Sequence, residues 1–157
     1  MHDTRKAMDK AVRALSMRPH SESEIVDKLT RQRFDEHTIA DVMQRLAEHR
    51  LTDDVAFAEQ WTKARARRGV GPRKIAWELR EKGIDTDMAE EALAGIDARE
   101  TLASATALAS KYLKRGDDKA KQRAYGALVR RGFAYDMAKK ALELAAGDSS
   151  TDVWMDE

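Results

Sequence analysis

An internal repeat of about 50 residues restricts the fold of this chain more than any other feature. Three segments align when the sequence is slid along itself: SESEIVDKLTRQRFDEHTIADVMQRL from Ser21, GPRKIAWELREKGIDTDMAEEALAGI from Gly71, and AKQRAYGALVRRGFAYDMAKKALELA from Ala120. Leu29, Leu79 and Leu128 coincide, as do Phe34, Ile84 and Phe133. Ile39, Ala89 and Ala138 are each followed three residues on by Val42, Ala92 and Ala141, the interval that keeps side chains on one helix face. Each copy therefore reads as two helices joined by a tight turn.

The turn chemistry supports this. Gly83 and Gly132 stand just before the apolar turn residue, where a left-handed backbone costs least in glycine. Copy one has Arg33 at that place, so its turn is expected to differ. Asp35 and Asp85 are candidate N-caps for the helix that follows, and Ala134 breaks the pattern in copy three. The earlier helix of copy one starts after Ser21 with Glu24 as a capping box, and that of copy two starts at Gly71 with Pro72 in the first helical position.

A third helical segment precedes each pair. It carries Ala11 and Leu15 in copy one, Phe57, Trp61 and Ala64 in copy two, and Leu108 and Tyr112 in copy three, each set spaced to form one buried stripe. Between copies one and two, Thr52 or Asp53 caps the segment that follows. The expected architecture is all-α: an elongated, curved array of three tandem three-helix, helix-turn-helix-like repeats. Their bounds are placed at 1–50, 51–98 and 99–147, followed by an acidic, flexible tail at 148–157. A module of this size gains stability by stacking on its neighbours.

Composition agrees and removes several functions. Two prolines and eight glycines in 157 residues suit a helical chain. With no cysteine there is no disulfide, thiolate metal site or thiol nucleophile, and the four histidines (His2, His20, His37, His49) are scattered. No apolar run approaches the roughly 18 residues of a membrane span, and the N-terminus MHDTRKAMDK lacks the apolar core of a signal peptide, so a soluble cytoplasmic protein is expected. The RGD at Arg115–Asp117 then reads as a polar turn rather than an adhesion signal.

The formal charge is only +1, yet it is unevenly placed. Residues 63–82 hold eight Lys or Arg against two Glu, and residues 111–131 hold eight against two Asp, whereas the matching 13–33 has five basic and three acidic. The acids of copy two collect elsewhere, at Asp85, Asp87, Glu90, Glu91 and Asp97. A charge run is commonly a solvated, salt-bridged face. Its recurrence at equivalent places favours a face for a polyanion. The candidate nucleic-acid or filament contacts are Lys63, Arg65, Arg67, Arg68, Arg73 and Lys74, then Lys111, Lys114, Arg115, Lys119, Lys121 and Arg123. Free amides at the helix start after Gly71 are expected to hold phosphates alongside them. GVGPRK lacks the spacing of a nucleotide-binding loop.

Trp77 points away from the buried side set by Ile75 and Leu79. It either packs on a neighbouring repeat or forms a candidate partner contact. Trp154, in the tail GDSSTDVWMDE, is either disordered, docked on the chain's own basic surface, or a short partner anchor.

The stretch Leu51 to Asp85, LTDDVAFAEQWTKARARRGVGPRKIAWELREKGID, resembles the signature region of the RecX family, bacterial regulators of the RecA recombinase. The resemblance rests on Leu51-Thr52-Asp53-Asp54 before Phe57-Ala58, the Arg65 segment, Gly69-Val70-Gly71-Pro72 with Ile75, and Glu78-Leu79 leading to Lys82-Gly83-Ile84. It implies a non-enzymatic monomer without cofactor or metal, acting in recombination, DNA repair and the SOS response. Such a protein binds RecA, lodges in the groove of the RecA filament on single-stranded DNA, and restrains filament growth, ATP hydrolysis, strand exchange and LexA co-cleavage. Direct binding to single-stranded DNA, with double-stranded DNA as a further ligand, is also implied.

Two other classes compete. A helix-turn-helix transcription factor would place the helix after the turn in the major groove, but DTDMAEEALAGI is acidic and DNA would repel it. A helical-repeat scaffold is the other. An enzyme is disfavoured, because no His pairs with Asp or Glu at ligand spacing and no Ser lies in a nucleophile context.

Overall fold

The structure, a computed structural model, describes residues 2–147. Among them are nine α-helices in three sets of three: α1 (His2–Met17), α2 (Glu22–Arg31) and α3 (Glu36–Glu48); α4 (Asp54–Arg67), α5 (Pro72–Glu81) and α6 (Thr86–Ala94); α7 (Ala98–Leu113), α8 (Ala120–Arg130) and α9 (Tyr135–Ala146). Trp154 and the tail lie outside the described residues.

Helices start where the sequence supplies acceptors for their free amides. Ser21 and Glu24 close a reciprocal capping box, each side chain accepting the other's backbone N–H at 3.1 Å. Asp35 accepts the Thr38 N–H at 2.7 Å, and Asp85 accepts that of Asp87 at 3.1 Å. Asp53, not Thr52, caps α4 by accepting the Ala56 N–H at 3.1 Å; the Thr52 hydroxyl donates to Glu22 instead. Ala134 gives α9 no side-chain cap.

The middle helix of every repeat ends in one Schellman turn. The N–H groups of Phe34, Ile84 and Phe133 reach back to the carbonyls of Leu29, Leu79 and Leu128 at 3.2, 3.0 and 3.0 Å. The residues just before them, Arg33, Gly83 and Gly132, have φ of 69°, 77° and 100°. The expectation that Arg33 would change the first turn is therefore corrected: Arg33 adopts the left-handed backbone and bears its cost, about 1–2 kcal/mol.

The reason glycine is needed in the later copies lies in what packs on the turn. A Cβ on Gly83 would collide with the side chain of Ser23, and one on Gly132 with the Cβ and amide of Lys74. Ser23 and Lys74 belong to the first turns of α2 and α5, the middle helices of the preceding repeats. Arg33 ends the middle helix of the first repeat, and it is exposed.

The chain divides into two compact units, one of residues up to Trp61 with Leu79–Ala92, the other of Thr62–Glu78 with residues from Leu93 on, so the second repeat contributes to both. The first unit is cored by Ala7, Ala11, Ala14, Ile25, Leu29, Ile39, Val42 and Leu46, with Leu15 and Phe34 packed against them. Here the Ser21 hydroxyl donates to the Lys82 carbonyl at 2.6 Å while Lys82 Nζ pairs with Glu24 at 3.3 Å and lies 4.3 Å from the Trp61 ring centroid. Arg18 binds the same Glu24 carboxylate at 2.9 Å. Burial works to raise the Glu24 pKa, but the hydrogen bonds from Arg18 and the Ser21 amide, with the charges of Lys82 and Arg18, outweigh it and lower it to about 2.

In the second unit α7 packs on α8 and α9 around Ala105, Ala109, Leu128, Phe133, Ala138 and Ala141, and Leu102, Leu108 and Tyr125 lean on that core. The α5 start docks on the turn after α8. The Gly71 N–H donates to the Arg131 carbonyl at 2.8 Å and the Arg73 N–H to the Gly132 carbonyl at 2.9 Å. Two equivalent contacts thus recur, each between the start of one repeat's middle helix and the Schellman turn of the next. The stripe expected on α4 is corrected in part: Phe57, Ala58 and Thr62 are buried and Trp61 half-buried, but Ala64 is exposed.

Gly132→Ala is expected to lower unfolding free energy by at least about 1–2 kcal/mol, combining a strained φ with collision, whereas Arg33→Gly should be neutral or stabilise by up to about 1 kcal/mol. Urea denaturation of both variants checks this. A carboxyl whose pKa falls from 4.5 to about 2 on folding adds stability that is present above pH 4.5 and lost as pH drops toward 2. Acidification through that window should lower the melting temperature of the native chain more than that of Glu24→Gln, which keeps the cap but not the ion pairs.

Candidate nucleic-acid interface

The last turns of α4 and the residues up to α5 carry the first basic group. α4 ends in its own Schellman turn, with Gly69 at φ 79° and the Val70 N–H on the Arg65 carbonyl at 3.1 Å, and buried Val70 anchors the loop. Lys63, Arg67 and Arg68 are left exposed at a helix C-terminus, where cations complement the carbonyl dipoles. Arg65 is not: its guanidinium makes a two-pronged pair with half-buried Glu78, Nε to Oε1 at 3.0 Å and Nη2 to Oε2 at 2.7 Å. Those hydrogen bonds raise its pKa against the opposing effect of burial. It ties α4 to α5, which makes it a poor candidate for an incoming phosphate.

Arg73 is exposed and lies over the Tyr135 ring, 5.4 Å from its centroid. Lys74 is half-buried, with its Cβ against Gly132. The expectation that amides after Gly71 would hold phosphates is corrected as far as Arg73. Pro72 has no N–H, and those of Gly71 and Arg73 are already given to the carbonyls of Arg131 and Gly132.

The second group sits around the α7–α8 connection. Lys111, Lys114, Arg115, Lys119 and Lys121 are exposed. Arg123 is half-buried and bonded to Asp117, whose pKa is lowered chiefly by that hydrogen bond. Asp117 also accepts the Lys119 N–H at 3.1 Å, so the aspartate of the RGD triplet is engaged in shaping the start of α8.

Trp77 is 55% exposed, so its ring is not enclosed within the fold. Two residues that sequence reasoning did not select belong to this neighbourhood. Tyr135 is 54% exposed and stacks on Tyr125 at 6.4 Å between ring centroids. Its signal was an aromatic at a first-turn position where the other repeats have Glu36 and Thr86. Arg131 donates to the carbonyls of Arg68 at 3.0 Å and Gly69 at 3.3 Å, bracing the α4–α5 loop.

In the first unit, an open groove of about 600 Å³ is lined mainly by apolar groups including Val12, Leu15, Met17, Leu51 and Phe57. Among the described residues no cluster of His, Asp or Glu could hold a metal ion, and no helix is long and apolar enough to cross a membrane.

Arg65→Ala should lower stability by about 1–3 kcal/mol by stranding the half-buried Glu78 carboxylate. The double change Arg67→Ala with Arg68→Ala should shift the melting temperature little. Calorimetry of the two variants separates the structural guanidinium from the exposed ones.

Comparison with known proteins is consistent along the chain. Three family models match, described as the first, second and third three-helix domains of RecX, at residues 7–46, 53–93 and 99–142. The chain is similar to the Regulatory protein RecX of Prosthecochloris aestuarii, 36% identical over 142 residues that cover 90% of this chain and 94% of that one. It is similar as well to the Regulatory protein RecX of Mycobacterium sp. (strain JLS), 39% identical over 136 residues, covering 81% and 74%. The crystal structure of RecX from Lactobacillus salivarius superimposes with a TM-score of 0.84 at 25% identity, over 92% of this chain and 97% of that one. Three helical repeats, matched in order and over most of their length, show that this chain belongs to the RecX family of regulatory proteins.

Proposed function

We propose that this protein binds the RecA filament on single-stranded DNA and restrains it, limiting filament growth, ATP hydrolysis, strand exchange and LexA co-cleavage. Membership of the RecX family carries this reading. The exposed bases Lys63, Arg67, Arg68 and Arg73 of the second repeat, and Lys111, Lys114, Arg115, Lys119 and Lys121 of the third, support it by offering charge to a nucleoprotein whose DNA is a polyanion. Several weak contacts against one periodic lattice add through effective concentration. Restraint follows when the bound protein opposes the subunit additions or motions that the filament requires.

The helix after the turn in the second repeat exposes Asp87, Glu90 and Glu91, which disfavours major-groove reading by α6. The site is accordingly assigned to the basic segments. Arg65 and Arg123 are set apart as internally paired positioning residues.

The test adds the protein to preassembled RecA filaments and follows ATP hydrolysis, with free filament ends available or blocked. Inhibition in both conditions supports binding along the filament; inhibition confined to free ends supports capping. Unchanged hydrolysis in both would reject the proposal. Arg67→Glu with Arg68→Glu should weaken inhibition and flatten the salt dependence of binding by roughly 0.7 in log–log slope for each phosphate that is no longer neutralised.

A further inference from the structure

The basic segments account for attraction to phosphate but not for the aromatic groups among them. Trp77 and Arg73 lie one helical turn apart on α5 and project from the same face. Arg73 extends over Tyr135 at the start of α9, with its guanidinium carbon 5.4 Å from the ring centroid. Tyr135 in turn stacks on Tyr125 of α8, the planes inclined by 27°. These groups all belong to the second compact unit. Two of the rings are more than half exposed, Trp77 at 55% and Tyr135 at 54%.

Exposing two large rings so fully is unfavourable unless something covers them. The nearby charge says what that is. Exposed Arg67 and Arg68 lie on the segment that Arg131 ties to the turn before Tyr135. Of the acidic groups, Glu78 is committed to Arg65, exposed Glu81 follows Trp77 by one turn of α5 next to exposed Arg80, and Asp136 follows Tyr135 in the first turn of α9. Exposed rings among exposed cations fit a ligand that carries planar rings on an anionic backbone. In a duplex those ring faces are hidden by stacking and pairing. In a single strand they are open.

We infer that Trp77, the Arg73–Tyr135 stack and Tyr125 form a stacking platform for unpaired nucleobases, which makes the protein's own DNA contact selective for single strands over duplex. This deepens the proposed function and rests on it only in taking DNA as a ligand. A base stacks on the Trp77 ring or beside the Arg73 guanidinium, which lies over the Tyr135 ring. The phosphates on either side meet Arg67 and Arg68. Because every base has a π face, the platform is indifferent to sequence.

The experiment needs no recombinase. Fluorescence anisotropy measures binding of labelled oligo-dT, of an abasic oligomer with the same number of phosphates, and of a duplex of equal length, to the native chain and to Trp77→Ala and Tyr135→Leu. Circular dichroism checks that both variants keep their helix content. The native chain should bind oligo-dT at least about fivefold more tightly than the abasic strand. Each variant should lose most of that difference while abasic and duplex binding stay unchanged. The inference is overturned by equal affinity for oligo-dT and abasic strand, by variants that bind oligo-dT as the native chain does, or by no measurable binding to naked strands. Variants that lose RecA inhibition with oligo-dT binding intact would make the patch a protein-docking surface, and would also overturn it. Base-dependent binding by a protein that leaves RecA hydrolysis unchanged would uphold the platform and reject the filament function alone.

Discussion

The structure depends on one kind of contact, the seating of a helix start on the left-handed turn that ends a helix of the next repeat. At Gly132 the turn presents bare backbone, and the α5 start comes close enough for the Gly71 and Arg73 amides to bond to the carbonyls of Arg131 and Gly132. At Gly83 the same approach is made by the α2 start, and the bond is from the Ser21 hydroxyl to the Lys82 carbonyl. Both contacts satisfy groups that helix ends leave unpaired, so one interaction caps two helices and joins two repeats. Each hydrogen bond adds only about 1 kcal/mol net, but a missed bond would bury an unpaired donor or acceptor. That asymmetry keeps the register of one repeat on the next.

Internal ion pairs sort the charges. Glu24 is drawn between Arg18 and Lys82, Glu78 between α4 and α5 by Arg65, and Asp117 onto Arg123. These pairs hold helices and turns together. The bases left exposed on α4, at the start of α5 and around the α7–α8 connection are those that support the filament reading. A guanidinium with two good hydrogen bonds to a half-buried carboxylate has little reason to exchange them for a solvated phosphate. The exposed rings at Trp77 and Tyr135 are the surface on which the proposed base platform rests.

Much of this was legible in the residues. The coincidence of Leu29, Leu79 and Leu128 marked one buried position three times over, and all three are fully buried. Ser21 with Glu24, Asp35 and Asp85 marked helix starts because an amide without a helical partner needs an oxygen within a few residues. The charge runs were visible too, but the division of their members was not. Arg65 and Arg67 look alike in the sequence, and only the facing Glu78, thirteen positions on, removes Arg65 from the exposed set. Tyr135 carries no such mark in the sequence, because its partner Arg73 lies on a helix of another repeat.

The sequence by itself determined the helices, their caps, the threefold repetition and the family, since each of these rests on residues close together in the chain or on a period that repeats along it. The tertiary structure decided why Gly83 and Gly132 are glycine while Arg33 is not, why the Gly71 and Arg73 amides are occupied, and which cations remain outside. The first two are set by groups some sixty positions apart, as Gly71 is from Arg131 and Ser21 from Lys82, and the last by Glu78 thirteen positions from Arg65 and Asp117 six from Arg123. Packing brings them within hydrogen-bond reach, and no local pattern in the chain encodes that distance.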